Sequence, residues 1–314
     1  MAGKTRARKL KSGKKLEEAI VKSAPPLKTE KKQPPAVKSP ETLKTEKKQP
    51  PAIKSAEPPK SEKKAKQPIV EKEEFMKTGI AGLDSLFKEG IPTNSSVLIA
   101  GGTGSGKTLL TLQILCNAAR EGKKCFYMSF EESEERLDNH MRKFGWDLGD
   151  KKGNLLLQRF NLFDITRSID AMLAKQSGDL LIEVEPVILP KGFKPDIIVV
   201  DSLTAIASAF YGRGETYRLY INQLFRFFED QKITTFLISE TNQDPKIYST
   251  SGVEEFLADG VIVLYNIRSG NVREHGLEVL KMRGTEHERK IVAMQIISGK
   301  GIEIFPDQEV FSVE

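Results

Sequence analysis

From Phe75 onward, apolar positions come in two alternating rhythms. Short, mostly apolar runs occur at Ser96–Ala100 (SVLIA), Phe126–Phe130, Asp196–Val200 and Ile233–Ser239. They are too short for helices and rich in branched side chains, which predicts strands buried on both faces. Between them the spacing changes to three and four residues. Leu109–Gly122 (LLTLQILCNAAREG) predicts a helix stopped by glycine, and Glu131–Glu135 opens a helical stretch that runs to Phe144. Glu215–Gln231 predicts a third helix, with Leu219, Leu224, Phe225 and Phe228 on its core side. Alternating strand and helix is the pattern of an α/β fold with a mostly parallel sheet and helices on its faces.

The first 74 residues carry neither rhythm. They contain 21 Lys and Arg against 10 Asp and Glu, ten of the 16 prolines and no aromatic residue. Residues 27–39 (LKTEKKQPPAVKS) and 43–55 (LKTEKKQPPAIKS) are repeats that differ at one position, Val37 against Ile53, and a degraded third copy follows. Proline pairs favour extended polyproline II, and the segment has too little apolar surface to offset the entropy of ordering. The expected organisation is a disordered basic tail, 1–74, and a folded domain, 75–314. Splitting the chain there divides its net charge of +6 into +11 on the tail and −5 on the domain. The tail has the charge for non-specific contact with nucleic acid or another polyanion, although it lacks stacking side chains. A solvated, solubilising extension is the competing reading.

Several classes are excluded. No apolar run is long enough to span a bilayer, so no membrane insertion is expected, and Met1–Lys15 holds seven Lys/Arg and no signal-peptide core. Two cysteines, Cys116 and Cys125, cannot make a disulfide framework, which points to a cytoplasmic protein. Three scattered histidines, His140, His275 and His287, do not suggest a dedicated metal site.

The strongest chemical signal follows the first strand. Gly101, Gly102, Thr103, Gly104, Ser105, Gly106, Lys107 and Thr108 spell G-x-x-x-x-G-K-[ST] between a predicted strand and a predicted helix. Glycines let the backbone N–H groups turn inward on phosphate oxygens at a helix N-terminus. Lys107 is expected to reach the β- and γ-phosphates of ATP, and the Thr108 hydroxyl to bind Mg²⁺. Asp201 ends an apolar strand and is the second candidate Mg²⁺ holder. Glu131 and Glu132, at the end of Phe126–Phe130, are candidates for orienting and deprotonating the attacking water, though they also suit the positive end of a helix dipole.

Together with TGIAGLDSLFKEGIP (78–92), SFEES, IIVVDSLTAI, SGVEEFLADGVIVL (251–264) and LKMRGTEH (280–287), these motifs make residues from about Phe75 to Pro306 resemble a KaiC-like ATPase of the RecA superfamily. The resemblance implies a RecA-like P-loop NTPase core with C-terminal antiparallel strands. It also implies hydrolysis of ATP with Mg²⁺, and homo-oligomeric rings, often hexameric, with ATP sites between subunits. It puts Lys281 and Arg283 on a late strand reaching into the neighbour's site, with Met282 on the opposite face, and Gln243 at the nucleotide-sensing position. The client implied is an unidentified protein partner. A DNA-dependent recombinase and a protein Ser/Thr kinase are the alternative activities. Clock-type KaiC phosphorylates adjacent Ser and Thr in its second half. Here Glu255 and Phe256 fall at those positions, so that autophosphorylation is not expected. Ser177–Gly192 lengthens one connection and reads equally as a hairpin, an interface patch or a tolerated insertion.

Overall fold

The computed structural model describes residues 74–167, 170, 186, 187, 189–243, 245–269 and 271–310. The repeats of the basic tail, and most of Ser177–Gly192, lie outside them.

A nine-stranded sheet carries the fold, in the order β11-β10-β9-β8-β3-β7-β6-β4-β5. Six strands run parallel: β3 (Ser96–Gly101), β4 (Cys125–Ser129), β5 (Leu155–Arg159), β6 (Ile197–Asp201), β7 (Thr234–Glu240) and β8 (Gly260–Ser269). β9 (Val272–Met282), β10 (Ile291–Ile297) and β11 (Gly301–Glu309) extend the β8 edge as antiparallel neighbours. A separate two-stranded ribbon pairs β1 (Phe75–Met76) with β2 (Ile91–Pro92).

The mostly apolar runs are buried on both faces, as expected of parallel strands under helices. In β3, Val97 and Ile99 join one core while Leu98 joins the other; in β6, Ile197 and Val199 are separated in the same way from Ile198 and Val200. This is the two-residue period of a strand read on two faces. The helix α2 (Lys107–Arg120) covers the first face; before it lies the single turn α1 (Ala81–Asp84). α3 (Glu134–Lys143) lies on the same face. Its N-cap is Ser133, whose hydroxyl accepts the Arg136 N–H, and it has Glu134 and Glu135 in the first turn with His140, Arg142 and Lys143 in the last. That charge order complements the helix dipole. The second face is covered by α4 (Leu203–Ser208) and α5 (Gly214–Asp230), ahead of the single turn α6 (Glu254–Leu257). Of the predicted α5 core positions, Leu224, Phe225 and Phe228 are buried, whereas Leu219 is half-buried; Tyr217, Tyr220 and Ile221 complete the face.

Sheet register positions the chemistry. Gly101 pairs with Glu240 and Ser129 with Asp201, so the C-terminal ends of β3, β7, β6 and β4 stand side by side. Ligands of open α/β sheets bind in the crevice outside these ends.

Candidate active site

The phosphate loop leaves β3 at Gly101 and enters α2 at Lys107. Its tight curl uses Gly104 at φ +77° and Gly106 at φ +98°, in the left-handed region that glycine adopts without a Cβ clash. Lys107 is buried, and its ammonium donates to the Gly102 carbonyl at 3.1 Å. Burial lowers its pKa, while the carboxylates of Glu240, Asp201 and Glu131 oppose that shift. The lysine therefore faces an acidic wall that an incoming phosphate must share.

Thr108 and Asp201, 93 residues apart in sequence, meet here: the Thr108 hydroxyl donates to Asp201 Oδ2 at 3.0 Å. The Tyr127 hydroxyl donates to the same oxygen at 2.6 Å. Asp201 is 3% exposed. Burial pushes its carboxyl up from 3.8 to about 6, against the pull of the Tyr127 hydrogen bond, and nearby Glu131 adds to the rise. A hydroxyl and a carboxylate are hard oxygen donors, the kind that hold Mg²⁺ while phosphates and water complete its shell. Among the described residues no three His, Cys, Asp or Glu side chains gather as a protein-only metal cage.

The two glutamates diverge. Glu131 lines the cleft and accepts the Ser202 hydroxyl at 2.6 Å; Ser202 also caps α4 through the Ala205 N–H. Glu132 turns toward α3, with Oε2 3.8 Å from His140 Nδ1 and 3.9 Å from Arg136 Nε. The cleft, of about 470 Å³, is lined by Thr103, Gly104, Gly106, Lys107, Thr108, Leu109, Glu131, His140, Lys143, Phe144, Asp201 and Glu240. Gln243 touches the loop from beside it, donating to the Thr103 carbonyl at 3.1 Å.

Sequence reasoning missed Glu240, together with the cleft-lining end of α3. Glu240 is the last residue of β7, and its pairing with Gly101 was the one signal available; the strand had to be ordered beside β3 before that signal could be read. A larger cavity, about 790 Å³, lies among Phe130, Arg159, Phe160, Phe163 and Ala209. Among the described residues that line it there is neither the glycine loop nor a carboxylate.

Lys281 and Arg283 do not line their own chain's cleft. Lys281 donates to the carbonyls of Glu255 at 3.2 Å and Ala258 at 2.6 Å, and Arg283 to Asp259 Oδ1 and the Phe256 carbonyl, both at 3.2 Å. Both cations thus grip one segment, while Met282 between them is buried. Beside them Phe256 is 72% exposed. Burial lowers the Lys281 pKa and neighbouring Arg283 adds to the effect, while Asp259 opposes it.

Five buried side-chain atoms among the described residues have no hydrogen-bond partner: Ser105 Oγ, Glu132 Oε2, Ser239 Oγ, Asn266 Oδ1 and His287 Nε2. Ser105 is in the phosphate loop, Ser239 precedes Glu240, Asn266 stands beside Gly104, and Glu132 follows Glu131.

Residues 76–309 match the family described as the KaiC ATPase. Among curated proteins, the chain is 31% identical over 235 residues to a circadian clock protein, KaiC3, of Synechocystis sp., covering 74% of this chain and 46% of that protein. It is 32% identical over 238 residues to the circadian clock oscillator protein KaiC of Parathermosynechococcus lividus, covering 73% and 42%. The chain thus spans less than half the length of these relatives. Among solved structures, a KaiC-like protein of the hyperthermophilic archaeon Pyrococcus horikoshii OT3 matches with a TM-score of 0.60 and 29% identity, over 75% of this chain and all of that one.

Proposed function

The chain belongs to the KaiC family of ATPases, with a RecA-like fold, and we propose that it hydrolyses ATP with Mg²⁺ in a site completed by a second copy of itself. The observation that carries the reading is the meeting of Lys107, Thr108, Asp201 and Glu131 at adjoining strand ends, with Thr108 and Asp201 in direct hydrogen-bond contact.

Backbone N–H groups of Gly104, Gly106, Lys107 and Thr108, with the Lys107 ammonium, bind the phosphates. Thr108 and Asp201 would hold Mg²⁺, which would supply positive charge to neutralise the phosphates. Glu131 accepts the proton of the attacking water as its oxygen bonds to the γ-phosphorus and the bond to the β-phosphate oxygen breaks, releasing ADP and phosphate. The Ser202 hydroxyl, 2.6 Å away, orients that carboxylate. Lys281 and Arg283 stabilise γ-phosphate charge in the neighbour's site; their absence from their own cleft and the exposed Phe256 beside them support action in trans. A closed ring, hexameric by analogy with the family, satisfies that head-to-tail geometry.

We further propose that the ring regulates a protein partner. Glu255, where clock-type KaiC has a phosphorylated hydroxyl, accepts the Tyr248 N–H at 2.8 Å and the Ser249 hydroxyl at 3.3 Å, which supports a structural role at that position and gives phosphoryl transfer no acceptor there.

The test is complementation. Lys107→Ala and Arg283→Ala proteins should each hydrolyse little ATP, and mixing them should restore a measurable fraction of wild-type phosphate release. Full activity in a monomeric protein, or no recovery on mixing stable oligomers that exchange subunits, would refute action in trans.

A further inference from the structure

The C-terminal strands do more than extend the sheet, because they contact the phosphate loop from outside it. Asn266 on β8 and His275 on β9 are direct cross-strand partners, and His275 reaches Gly104. His275 Nε2 lies 3.3 Å from the Gly104 carbonyl oxygen, a contact between residues 171 apart in sequence. Asn266 Nδ2 lies 3.8 Å from where a Gly104 Cβ would stand, and Asn266 Oδ1 is buried without a partner. Two residues on, a Cβ at Gly106 would stand 3.4 to 3.8 Å from Ile296, Ile302 and Met294. The loop therefore has a back wall made by β8 to β11, half polar and half apolar.

The Gly104 contact has a specific consequence for anion binding. The carbonyl of Gly104 and the N–H of Ser105 belong to one rigid, planar peptide and point in opposite directions. A carbonyl turned outward from such a loop needs a donor of its own. At this peptide the donor is His275. The Ser105 N–H meanwhile closes a tight turn on the Gly102 carbonyl at 3.2 Å, so the peptide is held at both ends. Glycine on one side of the plane makes rotation of that peptide easy unless something restrains it.

We infer that His275 is a positioning residue for ATP binding, acting through the Gly104 carbonyl to hold the 104–105 peptide, and with it the closed turn that shapes the phosphate loop. The inference rests on the reading that Gly101–Thr108 binds ATP. It assigns His275 no contact with the reacting atoms.

Because a preorganised loop binds ground state and transition state alike, loss of the restraint should appear in affinity more than in turnover. His275→Ala is expected to raise the KM for Mg-ATP, and the Kd of a fluorescent ATP analogue, about three- to tenfold, the range for one neutral hydrogen bond. kcat should change less than twofold, with the melting temperature of the ligand-free protein nearly unchanged. His275→Gln keeps a side-chain N–H donor and should recover most of the affinity. An unchanged KM in His275→Ala, a fall in kcat at constant KM, or no recovery in His275→Gln overturns the assignment. A wild-type protein that fails to bind the analogue at all would instead remove the ATP-binding reading on which the inference rests.

Discussion

Replacing Asp201 with asparagine should make the ligand-free protein more stable while removing its activity. Asp201 is buried at the end of β6, and its carboxyl is pushed up from 3.8 to about 6. Holding the charged form therefore costs the folded state about 3 kcal/mol at neutral pH, at roughly 1.4 kcal/mol for each pKa unit. The sign follows from proton counting. Between the two values the folded chain keeps a proton that the unfolded chain has lost, so stability falls as pH rises from about 4 to about 6 and is level above that. The asparagine carbonyl can still accept the Tyr127 and Thr108 hydroxyls that now reach Oδ2. Allowing about 1 kcal/mol for the new amide N–H₂ to find an acceptor, the net gain at pH 7.5 is about 2 kcal/mol. For a domain of this size that is a rise of about 4–8 °C in melting temperature. Thermal unfolding followed by circular dichroism at pH 4.5, 6 and 7.5 measures it directly. The gap should shrink toward zero at the acid end, and Mg-ATP should raise the melting temperature of the wild type but not of Asp201→Asn. A variant that melts below wild type at pH 7.5, or a gap that is the same at pH 4.5 and 7.5, would refute the reasoning.

Two further outcomes follow from the geometry. Glu131→Gln should lower kcat about a hundredfold or more, since it removes the carboxylate that lines the cleft, whereas Glu132→Gln should cost less than tenfold; steady-state phosphate release separates them, and equal losses would put both carboxylates at the water. Gly301→Ala should destabilise the domain by about 2–4 kcal/mol, read as a lower urea midpoint with an unchanged m-value. Its backbone is at φ +117°, and a Cβ there would stand 2.5 Å from both Gln113 Oε1 and Trp146 Cζ2.

Much of the site was legible because its parts are local. A glycine loop between a strand and a helix, and a carboxylate closing an apolar run, are each encoded within a few residues: Gly101–Thr108 runs from the end of β3 into α2, and Asp201 is the last residue of β6. Glu131 and Glu132 show where local reading stops. Adjacent in sequence, they could not be told apart until β4 was paired with β6, bringing Ser202 to one and α3 to the other. Gln243 was named through the family resemblance, and it touches the loop; Glu240, three residues earlier and inside the cleft, was not named. No described helix is long and apolar enough to cross a membrane.

By itself the sequence determined the alternation of strand and helix, the phosphate loop, and the division at Phe75 between a basic segment and an acidic domain. Each depends on composition or on spacings of two to four residues, over which backbone geometry alone dictates which side chains share a face. Only the tertiary structure decided that β3 lies between β7 and β8, that Gly101 faces Glu240, and that His275 reaches Gly104 across 171 residues. Strand order is chosen by burying two apolar faces at once, a condition on the whole chain that no short window contains.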